Sequence, residues 1–192
     1  MSSRRVVIFG GSFDPIHVGH VSLAAEVCRQ GLAAEVWFMV SPQNPHKQQS
    51  GLTDEDMRLE MVRLAIDGMP QFKASDFEFG LPRPSFTINT LSALEKAYPD
   101  TEFLLLVGSD NWEVFGKWYK ADEILSHYGI IVYPRGNGFM PQLPEGVRWL
   151  DAGLYDISST EVRAAVASGE DIAAMVAPGV ADYIKKKGLY KV

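Results

Sequence analysis

The densest run of chemically suggestive residues is Gly10-Gly-Ser-Phe-Asp-Pro-Ile-His-Val-Gly-His20. An apolar run, Val6 to Phe9, precedes it and a helix-like stretch follows, which is where a doubly wound fold binds phosphorylated ligands. Gly10 and Gly11 lack side chains, so the backbone can turn sharply there and a ligand can lie against it across Ser12 and Phe13. His17 and His20 share one face of the first helical turn, and Gly19 between them leaves backbone open to something bulky. Two imidazoles at a helix N-terminus, where unpaired N–H groups already favour anions, suit a phosphate. A glycine turn beside two surface histidines is the plainer reading, and it accounts less well for the His-x-Gly-His spacing.

A second constellation is Ile157-Ser-Ser-Thr-Glu-Val-Arg163. The hydroxyls of Ser158, Ser159 and Thr160 sit at a helix start, and Arg163 projects from its first turns. An arginine fork suits a polyphosphate tail better than a lysine point charge. Alone, this segment reads as a capped surface helix. Together with the first motif it would complete a clamp around a triphosphate.

The elements that must hold these residues follow from pattern. Val6 to Phe9, Val36 to Val40, Phe103 to Val107 and Ile130 to Tyr133 read as buried strands, and Val147 to Leu150 is a fifth strand candidate. Amphipathic stretches fall around 20–30, 54–68, 86–97 and 120–126, with Thr53 expected to cap the second. Such alternation predicts an α/β fold, a doubly wound parallel sheet with helices on both faces. The last forty or so residues differ, with one helix from a Ser158–Glu161 capping box and another from Pro178 to Gly188. They predict a C-terminal helical extension. At 192 residues the expectation is a single domain over 1–192, a sheet core over 1–150 followed by a helical part over 151–192.

Composition narrows the partners. Lys and Arg number 18 against 24 Asp and Glu, a net charge of −6, which disfavours nucleic acid and anionic membrane. No stretch is long and apolar enough to span a bilayer, and the lone Cys28 excludes an internal disulfide framework and suits a reducing cytoplasm. Cys28 falls in an apolar-rich helix, where it reads as a small core residue and not a nucleophile. The glycine run is not a spaced G-x-G-x-x-G, which speaks against a dinucleotide dehydrogenase.

The two phosphate segments together resemble the nucleotidyltransferase superfamily with the T/H-x-G-H motif. Ser41-Pro-Gln-Asn-Pro-His-Lys47, Pro84-Ser-Phe-Thr-Ile-Asn-Thr-Leu91 and Gly108-Ser-Asp-Asn-Trp-Glu-Val-Phe-Gly-Lys-Trp-Tyr119 are similar to the bacterial nicotinate mononucleotide adenylyltransferases. So is the ending from Pro178 to Tyr190. Small departures are Asn89, where many relatives place Asp, and Val162, where Ile is usual; Asp14 occupies a place taken by Asp or Asn.

The resemblance implies a Rossmann-like fold and transfer of the adenylyl group of ATP to nicotinate mononucleotide, giving nicotinate adenine dinucleotide and pyrophosphate in NAD biosynthesis. It implies Mg²⁺ bound through the ATP phosphates, with no dedicated protein metal site, and is compatible with an oligomer. His17, His20 and Arg163 would be catalytic. Gly10, Gly11, Ser12, Phe13, Gly19, Gly108, Asp110, Ser158, Ser159 and Thr160 would bind ATP. Lys47, Ser85, Thr87, Trp118 and Tyr119 would bind the mononucleotide, Trp118 by stacking on the pyridinium and the 85–87 helix start by offering amides to the carboxylate. The 42–52 loop would be a lid. Trp112, Phe115, Trp118 and Tyr119 also read as ordinary packing of a short helix. Rival readings are a transferase for pantetheine phosphate or glycerol phosphate, and a nucleotide sensor without turnover.

Overall fold

The computed structural model describes residues 4–42, 51–136 and 140–191. The strands are β1 (Arg4–Gly11), β2 (Glu35–Val40), β3 (Phe72–Ser75), β4 (Thr101–Gly108), β5 (Gly129–Tyr133) and β6 (Val147–Trp149). The helices are α1 (Val18–Arg29), α2 (Glu55–Ala65), α3 (Thr87–Ala97), α4 (Ser109–Glu113), α5 (Ala121–His127), α6 (Ser159–Ser168) and α7 (Pro178–Lys187). All six strands are parallel, in the order β3-β2-β1-β4-β5-β6. This is the doubly wound arrangement that the alternating pattern implies.

Period-two side chains divide the apolar residues between two faces. Val7, Phe9, Leu104 and Leu106 join a core with α1, α2, α6 and α7, whereas Val6, Ile8, Phe103, Leu105 and Val107 join a second core with α3 and α5. Helical spacing does the same for Leu59 and Val62 of α2 and for Ile88, Leu91 and Leu94 of α3. The sheet therefore separates two apolar cores, and the carboxyl ends of β1, β2, β4 and β5 share one edge.

Local differences from the sequence reading have local causes. β3 had no expected counterpart: it is an edge strand of four residues carrying Lys73, whose ammonium lies 4.0 Å from the Trp37 ring centroid, so it shows no apolar run. The cap of α2 is Asp54, not Thr53; its carboxylate accepts from the Asp56 and Met57 amides. Thr53 instead donates its own N–H to Asp14 Oδ2. The Ser158–Glu161 capping box, Pro178 at the first turn of α7 and left-handed Gly188 at its end are as the sequence implies. Gly10 and Gly11 belong to β1 and pair with Met39 and Val40. The turn that the glycines were expected to make is made by Phe13, at φ 47°, and the glycines serve space.

Candidate active site

At the carboxyl edge, β1 runs into the loop that opens α1, and His17 takes the N-cap position with extended backbone. His20 is one turn further on, so the two rings face each other with centroids 3.6 Å apart. The His17 N–H donates to His20 Nδ1 at 3.2 Å. That nitrogen accepts, so the His20 proton resides on Nε2. His17 is buried, and burial, helped by Arg135 and opposed by Glu161, pushes its imidazolium down to about 4. Burial, His17 and Arg135 push His20 down as well. Both rings are neutral donors at neutral pH.

The pair opens onto a cleft of about 400 Å³ that Gly19, Tyr133, Arg135, Tyr155, Ile157 and Ser158 also line. A Cβ on Gly19 would sit 3.0 Å from Ile157 and 3.1 Å from the His17 ring, so this glycine makes room for the histidine itself. A Cβ on Gly10 would meet nothing within 4 Å, which leaves the end of β1 open to a ligand. Gly11 is covered by the Phe13 ring at 3.1 Å, and Phe13 packs edge-on against His20 in the core, leaving only its backbone for a ligand.

The start of α6 reaches the same loop from far along the chain. Ser159 Oγ donates to the Pro15 carbonyl at 2.8 Å, and Arg163 donates to the Asp14 carbonyl at 2.7 Å and to Thr160 Oγ1 at 3.2 Å. Ser158 caps its own helix. The side chains of this motif are thus spent largely on shaping the loop. On the far side, Asp110 follows Gly108 at the β4 end and pairs with Arg135 at 3.5 Å. A Cβ on Gly108 would fall 2.6 Å from Asp110 Oδ1 and displace that carboxylate.

The described residues expected to bind the mononucleotide lie around the start of α3 and the segment after α4. Ser85 is buried just before α3 and Thr87 begins the helix. Tyr119 is half exposed, its ring 4.8 Å from Phe86, the α3 N-cap residue. Trp118 is half-buried with its centroid 5.2 Å from Phe115, which in turn stacks on Trp112 at 4.9 Å. Lys47 and most of the 42–52 loop lie outside the described residues. Among the described residues, the buried side-chain polar atoms without a hydrogen-bond partner are His17 Nδ1 and Ser85 Oγ, one in each group. Such atoms are costly unless something else satisfies them.

Three contributors went unread in the sequence. Arg135 lines the cleft; its signal was Pro134-Arg135-Gly136 directly after a strand. Arg58, buried in α2, donates to the Ser12, Ser41 and Thr53 carbonyls at 2.7–2.8 Å. Tyr190 donates its hydroxyl to Asp14 Oδ1 at 2.6 Å, and burial with that bond raises its pKa strongly. Neither of the last two has a local signature.

Residues 8–165 match the cytidylyltransferase-like family. A curated relative from Bacteroides fragilis, named probable nicotinate-nucleotide adenylyltransferase, is 49% identical over 94% of this chain and 90% of its own. The chain belongs to the nicotinate-nucleotide adenylyltransferase family. A second relative of that name, from Bacteroides thetaiotaomicron, is 44% identical over 93% of this chain and 90% of its own. The fold is shared with a Plasmodium falciparum nicotinic acid mononucleotide adenylyltransferase solved with NaAD, at TM-score 0.78 and 20% identity over 97% of each chain. Membership of the family agrees with what the two motifs imply. No helix among the described residues is long and apolar enough to cross a membrane.

Proposed function

We propose that the cleft and the start of α3 are the two halves of one adenylyl-transfer site, joining ATP to nicotinate mononucleotide with release of pyrophosphate. A phosphate oxygen of the mononucleotide attacks the α-phosphorus of ATP; one P–O bond forms, the α–β P–O bond breaks, and pyrophosphate leaves with its electron pair. The attacking phosphate has a second pKa of about 6, so it needs no general base. The protein's work is positioning and charge stabilisation.

The observation that carries this reading is the neutral His17–His20 pair at the start of α1, facing the cleft. His20 Nε2–H is free of the intramolecular bond that occupies Nδ1, so it can donate to the phosphoryl oxygen that gains charge. His17 Nδ1, buried without a partner, is the second group that a phosphate would satisfy. Gly10, Gly11, Ser12, Phe13 and Gly19 supply backbone and space for the nucleotide, and Gly108 and Asp110 its ribose side. The Ser158–Thr160 helix start and Arg163 face the leaving phosphates, joined by Arg135. Arg163 keeps N–H groups beyond its two protein bonds for that purpose.

Mg²⁺ would enter on the ATP phosphates, the usual way this ion is held where substrate phosphates supply its oxygens. On the acceptor side, Ser85 and Thr87 at the start of α3 would bind the carboxylate, Trp118 and Tyr119 the ring, and Lys47, by its residue type alone, the phosphate. A net charge of −6 and one cysteine agree with a cytoplasmic enzyme that binds small molecules and not nucleic acid.

The test is pyrophosphate release with MgATP, comparing nicotinate with nicotinamide mononucleotide. Turnover favouring the acid is expected; comparable rates would overturn the account of carboxylate recognition, and silence with both would overturn the reaction. Replacing His17 or His20 by Ala should lower kcat roughly a hundredfold or more.

A further inference from the structure

The two halves of the site stand on opposite faces of the sheet. The loop before α1 packs with one core, and α3 packs with the other. The phosphate loop and the start of α3 therefore meet through the sheet and not within one apolar core. An in-line attack depends on the distance between them to within fractions of an ångström.

A chain of buried polar contacts crosses the edge of the sheet between them. Arg58, on α2, is 1% exposed, and one nitrogen of its guanidinium, Nη1, donates to both the Ser12 carbonyl at 2.7 Å and the Ser41 carbonyl at 2.8 Å. Ser41 lies just past the end of β2 and uses every polar group it has. Its N–H donates to the Gly11 carbonyl at 2.9 Å, its carbonyl accepts from Arg58, and its hydroxyl donates to Glu78 Oε2 at 3.0 Å. Glu78 is buried in the short 3-10 turn Phe77–Gly80 after β3, and its other oxygen accepts from Thr90 Oγ1 at 2.7 Å. Thr90, 2% exposed, lies in the first turns of α3, close behind Ser85 and Thr87.

Two members of this chain, Arg58 and Glu78, are ionisable groups that are expensive to bury in charged form. Among the described residues neither Arg58 nor Glu78 makes an ion pair, and leucine or methionine would fill such volumes without desolvation. What the polar groups provide, and apolar ones cannot, is directional bonding between backbone segments of different elements.

We propose that Arg58, Ser41, Glu78 and Thr90 form a positioning relay that sets the spacing between the phosphate loop and the start of α3, and so aligns the acceptor phosphate with the α-phosphorus of ATP. None of the four touches substrate in this scheme. The inference rests on the two-half reading above, and it makes a distinct prediction: breaking the relay spoils alignment while leaving each half able to bind its own ligand.

The experiment uses Thr90→Val, which keeps shape and removes the hydroxyl, with Thr90→Ser as the conservative control. Steady-state kcat is measured on the acceptor phosphate that the wild-type protein turns over, so a failure of the nicotinate reading leaves this test intact. Binding of ATP alone and of the acceptor alone is measured by calorimetry. Thr90→Val is expected to lower kcat roughly tenfold to a hundredfold, with both binary affinities within about threefold of wild type and activity restored by Ser. Ser41→Ala cuts the relay at a half-buried position and carries the same expectation should Thr90→Val fail to fold. The double variant should be no slower than the slower single one, because both cut the same chain. Wild-type kcat in folded Thr90→Val or Ser41→Ala would overturn the proposal. So would a loss seen wholly in the affinity for one ligand, or multiplicative effects in the double variant.

Discussion

Acidification should destabilise the ligand-free protein earlier than its carboxylates alone would, and the stacked histidines are the cause. His17 is 7% exposed, and burial with Arg135 holds its imidazolium at about 4, against 6.5 for the free group. Between those values the unfolded chain binds a proton that the folded chain refuses, so stability rises with pH across the window and is lost as pH falls. One such histidine contributes a slope of up to about 1.4 kcal/mol per pH unit, and close to 3 kcal/mol over the whole window, roughly. His20 acts in the same direction. Against a typical total stability of about 5–15 kcal/mol this is a large share. The perturbation that isolates it is His17→Asn, which cannot take the proton and is a good N-cap residue. Urea unfolding of both proteins through this range gives the free-energy difference between them at each pH. That difference should shift by about 2 kcal/mol between about pH 7 and about pH 5, in favour of the variant at the acid end. Parallel profiles would refute the reasoning, since they would mean that His17 takes up its proton as easily folded as unfolded.

Two further substitutions test the packing around the first motif. Gly19→Ala places a methyl 3.1 Å from the His17 ring and 3.0 Å from Ile157, so the ring must give way slightly; kcat should fall roughly tenfold while the melting temperature changes little. Tyr190→Phe removes the 2.6 Å bond to Asp14, whose carboxylate is 4% exposed, and should cost about 2 kcal/mol in urea unfolding. Unchanged unfolding would show that Asp14 finds another donor without loss.

What could be read from the sequence was short in range. The histidine pair, the Ser158–Glu161 box and the first turn of α7 each depend on residues within a turn of one another, and their chemistry is visible in the letters. The strands of the sheet centre were legible because both faces are buried and their residues run apolar. β3 was not, because an edge strand with Lys73 outward has no such run. Ser158 was legible as the cap of α6, whereas the bond from Ser159 to the Pro15 carbonyl was not, since a hydroxyl's partner depends on which loop the fold brings past it. Arg58 and Tyr190 were invisible for the same reason. A buried arginine looks like any helical arginine until the carbonyls of Ser12 and Ser41 are placed around it.

The loop carrying His17 is tied at Asp14 and Pro15 to partners separated by 176, 149 and 144 positions along the chain: Tyr190, Arg163 and Ser159. Contacts at such long range tend to form slowly, because loop-closure entropy is met before they reward it. A half-assembled chain could hold β1, β2 and β4 in register and still lack the ties that shape its histidine loop. Catalysis would then return after the bulk of the secondary structure during refolding, and turnover would report completed assembly more strictly than circular dichroism does. A molecule lacking those ties would also turn over less ATP, because the restraints on its histidine loop come from distant segments.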